Sequence, residues 1–64
     1  MVRYVICRLA SDNTEEYYRV NARVFSETVW DDAIWFTKPS QGIVESLGDD
    51  CYVRKLYLQL GGIQ

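Results

Sequence analysis

Ser26-Glu27-Thr28-Val29-Trp30-Asp31-Asp32-Ala33-Ile34-Trp35-Phe36-Thr37-Lys38 is the stretch on which the fold turns. Read as a helix, Ser26 or Thr28 caps its start, and Thr28-x-x-Asp31 approximates a capping box. Glu27, Asp31 and Asp32 then sit at the positive end of the helix dipole and Lys38 at the negative end. Val29, Ala33 and Phe36 fall on one stripe, with Trp30 and Ile34 beside it. Read as a hairpin, Asp31-Asp32 is the turn, and Val29-Trp30 pairs with Ala33 to Phe36. The strand-forming side chains favour that second reading. Against it, Asp-Asp lacks the glycine that a tight primed turn prefers. The helix is taken here, with the hairpin kept as the alternative.

Working outward, the preceding run Glu15 to Phe25 alternates cleanly. Tyr18, Val20, Ala22 and Val24 are expected to face the core, and Tyr17, Arg19, Asn21 and Arg23 the solvent. Before it, Val2-Arg3-Tyr4-Val5-Ile6-Cys7-Arg8-Leu9 is rich in β-branched and aromatic residues and reads as a strand. Val5, Cys7 and Leu9 share one face, Tyr4 and Ile6 the other, so both faces are partly apolar. That pattern fits a central strand or one covered on both sides. Ala10-Ser11-Asp12-Asn13-Thr14 is a turn, because short polar side chains bond their own backbone.

On the other side of the deciding stretch, Pro39-Ser40-Gln41-Gly42 reads as a turn and Ile43 to Leu47 as a short strand. Gly48-Asp49-Asp50 is a further turn, Cys51 to Leu60 the last strand, and Gly61 to Gln64 a fraying tail. The expected fold is therefore α+β: a small antiparallel four-stranded sheet with one helix, in the order strand, strand, helix, strand, strand. With the hairpin instead, the chain becomes an all-β barrel of SH3 or OB size.

With 64 residues, one domain spans 1–64, since no residues remain for a second core. A chain this short buries only about 60% of the surface its unfolded form exposes. Apolar residues at 48% and charged residues at 25% argue against disorder. Nine acids against seven bases give a net charge of -2, which opposes a basic nucleic-acid binder. No apolar run approaches the length of roughly 20 residues that crosses a bilayer. Met1-Val2-Arg3-Tyr4 leads into a strand without a leader pattern. A cytoplasmic protein with reduced thiols is expected, Cys7 and Cys51 being small core residues on neighbouring strands.

Histidine is absent, so neither cysteine has the usual base, and the cysteines alone fall short of a zinc ligand set. The acid pairs Glu15-Glu16, Asp31-Asp32 and Asp49-Asp50 each lie at an expected turn or helix start, where solvated acids are the ordinary finding. No phosphate loop is present. The chain is expected to be non-enzymatic, with no cofactor and no metal.

Aromatic residues make up 14% of the chain, more rings than one sheet face and one helix stripe can hide. Exposed tyrosine, tryptophan and arginine are the usual anchors of interfaces. Two candidate binding sets follow: Tyr17, Arg19 and Arg23, with Arg3 or Arg8 across from them, and an acidic rim of Asp31, Asp32, Asp49 and Asp50. A solvated sheet face and ordinary turn acids are the plain alternatives.

At Phe25-Ser26-Glu27-Thr28-Val29-Trp30-Asp31-Asp32-Ala33, then Trp35, then Pro39-Ser40-Gln41-Gly42-Ile43-Val44, the chain resembles small bacteriophage host-takeover inhibitors. The likeness is to the T7-type inhibitors of bacterial RNA polymerase. It covers the middle third of the chain: an alternating strand, a capped helix start with acids and alanine, and a proline-glycine turn into a strand. In that family the contact arginines lie in the strand after the turn. Here Ile43 to Leu47 carries Glu45 and Ser46 and no arginine, so no binding residue carries over. The resemblance implies a phage-encoded inhibitor that occludes a surface of a larger host or defence enzyme. Two other functions stay open. One is a nucleic-acid-binding sheet or barrel stacking bases on Tyr4 and Tyr17 beside Arg19 and Arg23. The other is a subunit forming a homodimer through the strand Cys51 to Leu60.

Overall fold

A computed structural model of the chain describes residues 1–57. Strand β1 (Val2–Leu9) is its axis. β2 (Glu15–Arg19) and β3 (Val24–Ser26) follow, then a 3-10 turn at Asp31–Ala33, helix α1 (Gln41–Leu47) and β4 (Tyr52–Tyr57). The sheet order is β3-β2-β1-β4, with every pairing antiparallel. One antiparallel four-stranded sheet and one helix make a small α+β fold, the class expected. The chain order differs: three strands precede the helix and one follows it.

The double-sided apolar pattern of β1 has the consequence expected of it. Val5, Ile6 and Cys7 are all fully buried, with Val5 and Cys7 on one face and Ile6 on the other. Val53 lies opposite Ile6 in β4, and buried Val44 of α1 lines one cavity with Val53. The helix therefore covers the Ile6 face. The turn after β1 also follows its side chains: Asp12 Oδ1 accepts the Thr14 N–H at 3.0 Å, and Asn13 takes φ 67.

Three element placements are corrected. First, the run Glu15 to Phe25 is a hairpin rather than one strand. Arg23 turns at φ 56 and its N–H reaches the Arg19 carbonyl at 2.7 Å. β2 leaves β1 because Trp35 takes the place beside Tyr4, with N–H to carbonyl bonds of 2.9 and 2.8 Å. The Val20 N–H then goes to the Asp32 carbonyl at 3.1 Å. The turn also reverses parity: Val24 pairs with Arg19, and Phe25 with Tyr18. Val20, Ala22 and Val24 are consequently exposed, not core.

Second, residues 26–38 are neither the expected helix nor the alternative hairpin. Ser26 Oγ accepts the Thr28 N–H at 3.1 Å, as a cap would, but Trp30 is extended at ψ 160 and only Asp31–Ala33 coils. Trp30, Ile34 and Trp35 keep the extended backbone their shapes favour. Tertiary pairing to Tyr4 and Val20 supplies the hydrogen bonds that a helix would have supplied internally.

Third, Ile43 to Leu47 belongs to α1 rather than to a strand. Ser40 Oγ accepts the Ile43 N–H at 3.3 Å, and Gln41 Nε2 donates to Glu45 Oε2 at 3.1 Å. Gly48 ends the helix at φ 145, in a conformation that disfavours a side chain. The caps and the burial of Val44 outweigh the strand preference of Ile43 and Val44. The expected last strand is observed as β4 over Tyr52–Tyr57; residues 58–64, with the rest of that strand and the tail, lie outside the described residues.

Candidate recognition surface

Neighbouring residues of the sheet and the 3-10 turn build an aromatic shelf at one end of the molecule. The Arg19 guanidinium lies over the Trp30 ring at 4.6 Å, and its Nε donates to Asp32 Oδ1 at 3.1 Å. Arg3 lies over Phe36 at 4.5 Å. Each stack is a cation–π contact that holds a ring flat at the surface rather than inside it. Phe36 is 76% exposed and Trp30 48%. Phe36 borders an open hollow of about 350 Å³, lined also by Val20, Asn21, Asp32, Ile34 and Trp35. The Trp35 indole N–H is buried without a hydrogen-bond partner among the described residues.

A second cluster covers the Cys7 face, which α1 does not shield. Register places Tyr17 and Tyr52 on either side of Cys7, and Arg54 opposite Val5. Glu15 joins them. Its carboxylate accepts the Tyr17 hydroxyl at 2.9 Å, the Tyr52 hydroxyl at 2.7 Å and the Arg54 guanidinium. The Tyr52 hydroxyl bond, then that of Tyr17 and the Arg54 charge, hold Glu15 below the usual carboxylate range. The same bond pushes Tyr52 up to about 12. Burial, reinforced by Glu15, pushes the Cys7 thiol up to about 12, so it stays protonated and inert at neutral pH. This network is a polar lid in place of a second apolar layer.

The expected site residues divide between these places. Tyr17 is half-buried and bonded to Glu15, and Arg19 and Asp32 form one pair beneath Trp30. Arg23 lies in the exposed β2–β3 turn, and Asp31 is exposed beside the shelf. Asp49 and Asp50 are exposed between α1 and β4. The four aspartates form no common rim, since Asp31 and Asp32 lie on the β2 side of β1 and Asp49 and Asp50 on the β4 side. Of the two arginines considered across the sheet, Arg3 joins the shelf, while Arg8 pairs with Glu16 on the other face and lies over Phe25 at 3.9 Å. The helical reading gives Phe36 to a core stripe with Ile34 beside it, whereas in the extended alternative the two share one face.

No family model, curated protein or solved structure matches the chain. Both cysteines are free, Cys7 pointing to one sheet face and Cys51 preceding Tyr52 toward the other. Among the described residues no group of three or more acidic or cysteine side chains is placed to hold a metal ion, and no helix is long and apolar enough to cross a membrane.

Proposed function

We propose that the chain is a protein-binding module that acts by occupying a surface of a larger protein, the aromatic shelf being its contact. The observation that carries this reading is the exposure of Phe36 and Trp30, each ring held in place by an arginine, with Phe36 bordering a largely apolar hollow. Pre-ordered rings lose little side-chain freedom on binding, and arginine and tryptophan are among the strongest interface anchors. A blocker needs no chemistry of its own, which suits a chain whose buried thiol is capped and whose Glu15 and Asp32 are paired. An inhibitor encoded by a phage, as the resemblance implies, would work through the same surface. The net charge of -2 and the engagement of Arg19 with Asp32 speak against stacking nucleic acid here.

The test is affinity capture from lysate of the source cell with the wild-type chain and with Phe36→Ser, both confirmed folded by circular dichroism. One large protein retained by the wild type and lost by the variant supports the proposal. Equal retention by both, or recovery of nucleic acid alone, overturns it.

A further inference from the structure

We propose that the outer edge of β4, together with the cleft between β4 and α1, takes an extended carboxylate-bearing segment of a partner protein as a fifth strand. β4 pairs with β1 from Val2↔Tyr57 to Cys7↔Tyr52, and on its other side no backbone partner is present among the described residues. The row of amide and carbonyl groups along Tyr52–Tyr57 is thus a template for strand addition. β3, the opposite edge, offers only Val24–Ser26.

The cleft beside that edge supplies what strand addition needs for specificity, a pocket for alternate side chains. It holds about 380 Å³ and is lined by Lys38, Pro39, Gln41, Val44 and Val53 among others. Pro39 and Val44 give it a buried apolar floor, and Lys38 a cationic wall. Lys55 stands in the middle of β4, two residues beyond Val53 and on the same face. Lys38 and Lys55 have no acidic partner among the described residues, whereas Arg54 is held by Glu15 on the other face. A strand with carboxylates toward this face meets two cations.

The same charges argue against a second copy of the chain as occupant. Two-fold pairing of β4 with itself sets residues of equal parity opposite each other. Within Tyr52–Tyr57, the two longest such registers place Arg54 against its own copy or Lys55 against its own copy, and like charges directly opposite are destabilising. The edge is therefore protected from self-pairing and open to an acidic strand.

Two fluorescein-labelled peptides test this, one alternating valine with glutamate and one alternating valine with lysine, titrated into the full chain by anisotropy. The glutamate peptide is expected to bind and to shift the amide resonances of Tyr52–Tyr57. N-methylation of its alternate amides, or Lys55→Glu in the chain, is expected to weaken it about tenfold or more, roughly 1.4 kcal/mol. The lysine peptide is expected to bind no better than that variant. Phe36→Ser leaves peptide binding unchanged, so failure here is distinguishable from failure of the shelf. The proposal is overturned if the glutamate peptide gives no signal up to about 1 mM, if N-methylation and charge reversal have no effect, or if sedimentation shows the unliganded chain to be a dimer with protected β4 amides.

Discussion

Replacing Glu15 by alanine removes the acceptor that ties β2 and β4 together across β1. Three donors lose their partner: the hydroxyls of Tyr17 and Tyr52 and the guanidinium of Arg54. Hydrogen bonds to a charged group contribute about 1.5–3 kcal/mol each when shielded. Here the shielding is partial, since the Glu15 side chain is 20% exposed and that of Arg54 58%. Solvent screening brings each contact to about 0.5–1 kcal/mol, so the loss is about 2 kcal/mol. Against a total margin of about 5 kcal/mol that is a large fraction. For a domain of this size each kcal/mol moves Tm by roughly 4–8 °C, so thermal melts by circular dichroism at pH 7 should show a drop of about 8–16 °C. The pH dependence adds a signature. Because the folded carboxyl titrates below its ordinary value, its contribution is present above the ordinary carboxylate range and is lost as pH falls through the lowered value. Wild type and variant should converge in acid. A Glu15→Ala melt within about 2 °C of wild type at pH 7, or a gap that persists unchanged below about pH 3, would refute the lid.

Ser40→Ala removes the side-chain acceptor at the start of α1 and should cost about 1 kcal/mol, read as a Tm lower by roughly 4–8 °C, with Ser40→Asp restoring it. In base the sign reverses relative to Glu15. Tyr52 has a raised folded value of about 12, so its contribution holds below its ordinary value of 10.0 and is lost as pH rises through about 12. Absorbance titration of the tyrosinates should show a late component that Tyr52→Phe reduces, the remainder belonging to Tyr17, which Glu15 also raises.

The parts of the fold legible in the sequence are those set by nearest neighbours. The apolar residues on both faces of β1 identify the central strand, and Asp12 with Asn13 identifies the turn that follows. The parts that were not legible depend on partners far along the chain. Nothing local says that Trp35 will displace β2 from Tyr4, yet that pairing ends β2 and holds Trp35 in an extended bridge. The start of α1 was written in Pro39-Ser40 and its stop in Gly48, but the β-branched Ile43-Val44 between them reads as strand until Val44 is buried. Glu15 looked like one of two solvated acids. Its partners Tyr52 and Arg54 stand 37 and 39 residues away, which no spacing rule reaches. Of the expected binding residues, Arg19 and Asp32 meet, because the 3-10 turn folds an acid back against an arginine of β2. The sequence reading puts them in separate sets, since nothing in their spacing announces that turn.

The most direct measurement of the shelf as contact surface is site-specific photo-crosslinking in lysate of the source cell, with the reactive side chain placed at Phe36, at Trp30, or at Leu9 as an exposed apolar control away from the shelf. Adducts to one and the same protein from positions 36 and 30, with none from position 9, are the predicted result. Adducts of equal yield from all three positions, or from position 9 alone, would contradict it.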